Sequence, residues 1–533
     1  MMENKKKNKP NIIFLVVDCL RQDKLGATGY EPDITPNINK LYLNGLRATK
    51  HYSNGCVTQT AFPSIFTSTL PLDYKGYNEG IKNRPISFPE ILLEEGYETW
   101  GAVTGHPCCS HFGYDRGFQT FQNLIDLYQW FTQLFKVELR GPLDKLKLKK
   151  ISILDFTKII RTKYKNYLKT TIKFLDEMND LKLPKQGWNR KQLKKMIYKE
   201  ILLIESKPQV IVKKIIDYDQ NFRLFIGKEH VNTYAKLKII TKKKIRNFLN
   251  KKIFIVSERK AFSAKLVNNN FKNFFLKKNN KKPFFAYLHY FEIHEAKLLL
   301  SNYSIRNTYN IFKAIFKASK RIFSKGGFLY DIALSKVDSE IGDLIKFLKK
   351  EKILNNTIIV LTGDHGMNAG FPKRKEVNSS TDLYKMFGDE YHHVPLILNG
   401  PGIKKNEVQQ ICSHIDLAPT ILDVLKIQIP KSFLGRPISG NLNKKNIVIA
   451  ENTGNGLCDI KEKKIVVSLR TEKIKIVYEI NNFNVKEREV YDMCIDKWGF
   501  ANIVKSRRFS KERKTLMILA KKRAQKLNIE NSL

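Results

Sequence analysis

Two short apolar segments, far apart in the chain, each lead to an acidic residue, and they constrain the fold more than any other feature. Ile12–Val17 is followed by Asp18, and Thr357–Leu361 is followed by Thr-Gly and then Asp364. Short continuous apolar segments of this kind are typical of strands buried on both faces of a sheet. Parallel strands have their carboxyl ends at one edge, which is where ligands bind in open α/β sheets. We therefore expect Asp18 and Asp364 to converge there.

Further segments of the same kind alternate with helical patterns along the chain. The other predicted strands of this sheet are Phe284–Leu288, Val394–Leu398 and Ile447–Ala450. Within Tyr330–Lys350, apolar residues recur every three or four positions, which predicts one buried helix face. Alternation of strands with helices predicts an α/β fold with a doubly wound, mostly parallel sheet flanked by helices.

Two regions depart from this alternation and define the expected domain organisation. Residues 122–282 hold 40 Lys and Arg against 13 Asp and Glu, which is +27 of the net charge of +44. Helical spacing there predicts a Lys-rich helical insertion in a catalytic domain of residues 1–430, packed near the substrate entrance. Short strand patterns and a basic helix at Lys511–Leu527 predict a small C-terminal α+β subdomain over residues 431–533.

The charge and the cysteines bear on partners and compartment. Because lysine is spread over the whole chain, we expect solvated helix faces more than a nucleic-acid surface, and nucleic acid is an unlikely partner. The seven cysteines are an odd number and include no CxxC pair, which favours reduced thiols over a disulfide framework. The sequence contains no recognisable signal peptide and no apolar segment of about 20 residues, so we expect a cytoplasmic or peripheral protein.

The two acidic strand ends also suggest a metal site. The second one is followed directly by His365, so that two carboxylates and one imidazole are expected at the same edge of the sheet. This mixture of oxygen and nitrogen donors is suited to a divalent cation. An Asp that follows a strand is often only a helix cap, but the two together favour a metal site.

Eight short motifs, in order along the chain, resemble those of the sulfatase family within the alkaline phosphatase superfamily. They are Val17-Asp-Cys-Leu-Arg21, Ser64-Ile-Phe-Thr-Ser-Thr-Leu-Pro71, Phe112-Gly-Tyr-Asp-Arg-Gly-Phe118, Leu288-His-Tyr-Phe-Glu-Ile-His294, Gly363-Asp-His-Gly366, His393-Val-Pro-Leu396, Ile415-Asp-Leu-Ala-Pro-Thr420 and Val490-Tyr-Asp492. The resemblance covers nearly the whole chain. It implies the fold already expected and a hydrolase acting on sulfuric or phosphoric esters.

The resemblance also points to a nucleophile. The family signature places this residue thirteen positions before a final proline, which is Pro71 here, so the position corresponds to Thr58. Thr60 is the fallback candidate. A local match at Ala61-Phe-Pro-Ser64 would put alanine at the nucleophile and is interpreted as coincidental.

Threonine at this position departs from the common sulfatase pattern. Family members with Cys or Ser convert it to formylglycine, which threonine cannot form, and the signature Arg is replaced by Phe62. An unmodified Thr resembles the phospho-transferring members of the superfamily, so a covalent ester on Thr58 is expected. Cys19 stands in place of a second metal-binding Asp. A site of Asp18, Thr58, Asp364 and His365 implies manganese, magnesium or zinc more than calcium.

Three histidines in the motifs have different expected roles. His294 matches the family histidine that contacts the substrate anion or assists the leaving group, either as a general acid or as a positioning residue. His289 is expected to be structural. His393 is a candidate substrate contact, with capping of the following strand as the alternative.

Three functional classes follow from these residues. The first is a metal-dependent hydrolase of sulfate or phosphate esters on a carbohydrate or a lipid head group. The second is a transferase that moves a phospho-alcohol onto a glycan or lipid. The third is an inactive, anion-binding relative. Because such transferases usually carry membrane spans and this sequence has none, and because all four site residues are present, we favour the hydrolase.

Overall fold

The structure of the chain is a computed structural model. It describes residues 9–125, 130, 135–177, 190–217, 263–278, 282–294, 325–369, 384–438, 447–454, 458, 464–481, 484–496 and 498–532. The chain divides into two compact units, one formed by residues 1–122, 261–299 and 303–533, the other by residues 123–260 and 300–302. The boundary predicted at residue 430 lies inside the first unit and stays a prediction.

The described strands and helices follow the predicted alternation. The strands are β1 Asn11–Val17, β2 Leu46–Ala48, β3 His51–Tyr52, β4 Glu98–Val103, β5 Thr120–Asn123, β6 Phe284–Tyr290, β7 Thr357–Gly363, β8 Leu396–Asn399, β9 Asn406–Val408, β10 Cys412–Ser413, β11 Val448–Asn452, β12 Ile465–Arg470, β13 Ile474–Asn481 and β14 Asn484–Asp492. The α-helices are α1 Pro36–Asn44, α2 Thr58–Thr67, α3 Phe88–Glu94, α4 Gly141–Lys147, α5 Ile153–Glu177, α6 Arg190–Ser206, α7 Pro208–Asp217, α8 Ala264–Lys277, α9 Lys325–Lys350, α10 Asp389–His392, α11 Leu417–Val424 and α12 Ser510–Ser532.

The centre of the first unit is an eight-stranded sheet in the order β5-β4-β6-β1-β7-β8-β2-β9. Strands β4, β6, β1 and β7 are parallel, as the apolar segments predict. The expectation of a parallel strand at Val394–Leu398 is wrong, because β8 pairs antiparallel with both β7 and β2. A short apolar segment is equally compatible with either direction, since both give burial on two faces.

Pairing of the central strands determines where the acidic residues lie. Every residue of β1 and β7 is buried. In the register, Val17 lies beside Gly363 on one side and beside Tyr290 on the other. Asp18 and Asp364 therefore follow neighbouring strands at the same level, as the sequence predicts. The helix expected over Tyr330–Lys350 is the main part of α9.

A second, antiparallel sheet of four strands lies in the C-terminal region, with the order β11-β12-β13-β14. Helix α12 packs on it through its small apolar face, which includes Leu516, Ala520, Ala524 and Leu527. The α+β character predicted for this region is present. The assignment of Ile447–Ala450 to the parallel sheet is wrong, because β11 pairs with β12 here.

The described part of the second unit is helical, as expected for the Lys-rich insertion. It contains α4 to α7 and a π-helix over Phe135–Arg140. On α6, the apolar residues Leu193, Ile197 and Ile204, which recur at helical spacing, are buried. Trp130 stacks on Phe174 with 3.9 Å between the ring centres. Among the described helices, none has the length and apolarity that crossing a bilayer requires.

Helix α12 is joined to the rest of the first unit by a buried ion-pair network, which generates a stability prediction. Arg523 donates to Glu451 at 2.5 and 2.8 Å and to Asp73 at 2.6 Å. We expect Arg523→Met to lower the free energy of unfolding by roughly 3–5 kcal/mol, because buried Glu451 loses its cation and Asp73 keeps only Lys526 at 2.9 Å. Urea unfolding measures the change. The exposed pair Lys346–Asp343 is the control: Lys346→Met should change stability by less than about 1 kcal/mol. Equal effects of the two substitutions would show that the buried pairs of Arg523 contribute no more to stability than an exposed pair.

The buried imidazoles of His51 and His414, next to the end of β7, predict that the protein loses stability in acid. His414 Nε2 donates to the carbonyl of Gly363. The centre of the His51 ring lies 5.0 Å from the centre of the His414 ring. Burial lowers the pKa of His51 to about 3 and that of His414 well below its usual value. As the pH falls below about 6.5, these histidines are protonated in the unfolded chain but stay neutral in the folded protein. The free energy of unfolding therefore falls by about 1.4 kcal/mol per pH unit for each histidine.

The measurement is urea unfolding of the wild type and of His51→Gln at several pH values. The difference in unfolding free energy between the two proteins should shrink by about 1.4 kcal/mol per unit between roughly pH 6 and pH 4. Comparing the two proteins removes the opposing contributions of buried carboxyl groups. A difference that does not vary with pH would show that His51 is already protonated in the folded protein.

Candidate active site

Two buried carboxylates face each other at the carboxyl edge of the sheet. Asp364 Oδ1 accepts hydrogen bonds from the backbone N–H groups of Cys19 at 3.1 Å and His365 at 2.7 Å. Among the described residues, Asp364 Oδ2 and Asp18 Oδ1 have no hydrogen-bond donor, although both side chains are fully buried. Buried carboxylate oxygens without a donor are costly unless a cation compensates them. These residues therefore fit a divalent metal ion.

The electrostatics of Asp18 agree with such a site. Burial raises the pKa of Asp18 above its usual value, and the neighbouring charge of Asp364 raises it further. The histidines at positions 294, 365 and 289 act in the opposite direction, so each of them lies within electrostatic reach of this carboxyl. Two carboxylates held this close stay ionised together only when positive charge lies nearby.

The third expected ligand, His365, is oriented by its own loop. Its Nδ1 donates to the carbonyl of Gly366 at 2.7 Å, so the lone pair is on Nε2. Nε2 lies 3.5 Å from Asp364 Oδ2 and 3.8 Å from Asp18 Oδ1. Gly366 is needed for the close approach of this loop, because a Cβ there would be 2.1 Å from the carbonyl oxygen of Glu390.

Of the two candidate nucleophiles, the structure brings Thr58 to the carboxylates. Thr58 is the first residue of α2, and its hydroxyl donates to Asp18 Oδ2 at 3.2 Å and lies 3.3 Å from His365 Nε2. The hydroxyl of Thr60 instead donates to the carbonyl of Val57 at 2.9 Å, within the first turn of the helix. Thr60 therefore stabilises the helix start and does not face the site.

The two histidines proposed to contact the substrate, His294 and His393, differ in the direction of their side chains. His294 is exposed, stacks on Phe291 at 4.4 Å and acts electrostatically on Asp18. His393 does not reach the carboxylates in the way expected of a substrate contact. Its Nε2 donates to the carbonyl of Thr49 at 2.9 Å, and its ring stacks on Tyr52. Capping of the following strand stays a prediction.

His289 is the site residue that the sequence reasoning missed. It was expected to be structural, yet its Nε2 lies 3.9 Å from Asp18 Oδ2 in the fully buried end of β6. Burial lowers the pKa of His289 to about 4. The available signal was a single imidazole in an otherwise apolar and aromatic strand. Its position beside Val16 of β1 could be known only from the strand register.

The loop after β1 is held by Cys19 and Arg21. Cys19 has a φ of 63°, a left-handed conformation that is uncommon for a residue other than glycine, and this turn directs its N–H to Asp364. Arg21 pairs with Asp23 through two hydrogen bonds of 2.9 and 2.7 Å and donates to the carbonyls of Met367 and Ala369. The guanidinium thus joins the Asp18 loop to the segment after His365.

Comparison with known proteins places these residues in a family context. The family model described as Sulfatase matches residues 10–178 and 188–427. Arylsulfatase K of Canis lupus familiaris is 33% identical over 108 residues, which are 20% of this chain and 19% of that protein. N-acetylglucosamine-6-O-sulfatase of Bacteroides thetaiotaomicron is 29% identical over 203 residues, 34% of this chain and 33% of that protein. The chain thus spans a fifth to a third of the length of these relatives.

Solved structures share the fold at low identity. The phosphonate monoester hydrolase of Agrobacterium radiobacter has a TM-score of 0.54 and 14% identity, covering 97% of this chain and 96% of that one. The 2-O GAG sulfatase BT1596 has a TM-score of 0.52 and 16% identity, covering 97% and 93%. The motifs, the fold and the family model agree, and the chain belongs to the sulfatase family.

Proposed function

We propose that this chain hydrolyses sulfate or phosphate esters by covalent catalysis, with Thr58 as the nucleophile. One observation carries the proposal: the Thr58 hydroxyl lies 3.2 Å from Asp18 and 3.3 Å from His365, at the point where two buried carboxylates converge. A side-chain hydroxyl in contact with candidate metal ligands is the arrangement that activates an alcohol for attack.

Sulfatases generally use a divalent metal ion. Here Asp18, Asp364, His365 and Thr58 would hold it, and this mixture of oxygen and nitrogen donors favours manganese, magnesium or zinc over calcium. When bound, such an ion lowers the pKa of a hydroxyl and neutralises negative charge on the group being transferred. The protein contributes the fixed geometry, because each ligand follows a buried strand or begins a helix.

The Thr58 side chain is well ordered for attack. It is β-branched and buried, so few χ1 rotamers are open to it, and its hydroxyl stays directed at Asp18. In the first step, the Thr58 oxygen bonds to sulfur or phosphorus, the bond to the ester oxygen breaks, and Asp18 accepts the hydroxyl proton. In the second step, water attacks the same atom and the bond to the Thr58 oxygen breaks, while Asp18 returns its proton to that oxygen. One proton of the water leaves with the inorganic anion, and the other restores the protonated imidazole of His294.

The leaving alcohol needs a proton, and His294 is the candidate donor. It is exposed, lies four residues after the end of β6 and acts electrostatically on Asp18, so it is accessible to a substrate at the site. A protonated imidazole there would also attract the anionic ester before the reaction. Either role makes His294 a contact of the reacting group.

Sulfated or phosphorylated carbohydrates are the substrate class we favour. Similar proteins include one named N-acetylglucosamine-6-O-sulfatase and one solved with D-glucosamine-2-N,6-O-disulfate as its substrate. The net charge of +44 favours an anionic substrate in general. Lipid head groups that carry the same ester are the competing substrate class. Rates on a panel of glycan and lipid esters distinguish the two classes.

Replacement of the two threonines tests the nucleophile. Thr58→Ala should lower kcat at least about a thousandfold, because no covalent ester can form, while it removes too little volume to unfold the protein. Thr58→Ser should keep part of the activity. Thr60→Ala is the matched control and should be mild. Rates are measured on aryl sulfate, aryl phosphate and phosphodiester substrates with added manganese, magnesium, zinc or calcium.

The same assay separates the alternatives. An active Thr58→Ala with an inactive Thr60→Ala would move the nucleophile by two residues. Activity in both variants would exclude threonine and favour a metal-bound water as the nucleophile. Product formed on an added alcohol, and not on water, would assign the transferase function. Anion binding without turnover by the wild type would assign an inactive relative.

Salt dependence tests the role of the positive charge. With a polyanionic glycan as substrate, KM should rise several-fold between roughly 50 and 300 mM NaCl, because added ions screen the attraction. A small aryl ester carries little charge and is the control, with a much smaller change. Equal changes for both substrates, or none for the glycan, would show that the positive charge of the protein does not attract the substrate.

A further inference from the structure

We propose that His289 is an additional ligand of the active-site cation, and that Cys108 and Gly105 hold its ring in the ligating orientation. The inference rests on the proposed metal site and extends it by one nitrogen donor. Such a ligand changes the composition of the site from one imidazole to two, and it gives a function to a buried histidine that the proposed reaction does not otherwise use.

The position of His289 Nε2 is the first argument. The ring is fully buried, and among the described residues Nε2 has no hydrogen-bond partner. Its nearest charged neighbour is Asp18 Oδ2 at 3.9 Å, which is too long for a hydrogen bond. Two atoms that bind one cation at about 2.0–2.2 Å are commonly separated by roughly 3–4 Å, so this spacing fits two ligands of one ion.

The proton on the other ring nitrogen is the second argument. The Cys108 thiol donates to the carbonyl of Gly105 at 3.1 Å, so its sulfur is free to accept. His289 Nδ1 lies 3.7 Å from that sulfur and is therefore the nitrogen that carries the hydrogen. This leaves a lone pair on Nε2 that faces a carboxylate, an arrangement that is unfavourable unless a cation lies between them.

The space around the ring is the third argument. A Cβ at Gly105 would lie 2.8 Å from His289 Cε1, so only glycine leaves room for the imidazole in this position. On another side, Phe62 meets the ring edge-to-face at 5.5 Å. The ring is thus confined by a glycine, an aromatic ring and a thiol, and its Nε2 can point only toward the carboxylates.

The donors then converge as a set. Asp18, His289 and Asp364 each offer an atom within 4.8 Å of the others. His365 belongs to a second such group, with Asp18 and Cys19, so the two groups share Asp18. One oxygen of Asp18 lies 3.9 Å from His289 Nε2 and the other lies 3.8 Å from His365 Nε2. The proposed site therefore draws on two carboxylates and two imidazoles. Nitrogen donors favour manganese or zinc over calcium, which prefers an all-oxygen shell. The site is therefore expected to discriminate against calcium more strongly than a site with one histidine.

Pulsed EPR of the protein loaded with Mn²⁺ tests this directly, because it counts the imidazole nitrogens bound to the ion without reference to turnover. We expect two in the wild type and one in His289→Ala, with Mn²⁺ affinity reduced at least about tenfold in that variant. Cys108→Ala should weaken Mn²⁺ binding by roughly tenfold, since the ring loses the acceptor that fixes its tautomer. Cys109→Ala, at the adjacent buried cysteine, is the matched control and should bind Mn²⁺ normally.

A wild-type protein that binds Mn²⁺ with a single imidazole nitrogen would overturn the inference and leave the proposed function intact. This count needs no variant, so the test stands even if His289→Ala fails to fold. Equal Mn²⁺ affinities for Cys108→Ala and Cys109→Ala would refute the role of the thiol. If the folded wild type binds no Mn²⁺, Mg²⁺ or Zn²⁺ at all, the metal-dependent function itself fails.

Discussion

The pairing of β1 with β7 forces two carboxylates together, and much of the site is arranged around the resulting repulsion. Asp18 and Asp364 follow neighbouring strands at the same level and are both fully buried. Two backbone N–H groups satisfy one oxygen of Asp364, while the Thr58 hydroxyl donates to one oxygen of Asp18. Within the described part of the chain, one oxygen of each carboxylate remains without a donor, so the fold itself creates the demand for positive charge at this point.

Much of this could be predicted from the sequence, because it depends on local pattern and strand order. Buried parallel strands present their carboxyl ends at one edge, so the convergence of Asp18 and Asp364 follows once both segments are identified as strands. The direction of β8 and the sheet to which β11 belongs could not be predicted. Apolar segments bury both faces equally well in parallel and antiparallel surroundings, and only the connections between them decide.

The direction in which a side chain points also could not be predicted from the sequence, as two of the histidines show. His393 and His289 both lie within the family-like sequence motifs, yet His393 bonds a backbone carbonyl and His289 faces Asp18. The difference comes from three-dimensional neighbours. Thr49 comes within reach of His393 only through tertiary pairing, and Gly105 leaves space for His289 from a different strand end.

Thr58 and Thr60 lie two residues apart in the first turn of α2, and their side chains point in different directions. Successive helical residues turn by about 100°, so residues two apart point in nearly opposite directions and only one can face the carboxylates. With a threonine, the covalent ester has no route of release through the side chain itself, in contrast to formylglycine. A second nucleophile must attack the transferred group. If Thr58 is the nucleophile, as we propose, hydrolysis and transfer differ in whether water or an alcohol reaches its ester, and not in the proposed metal ligands.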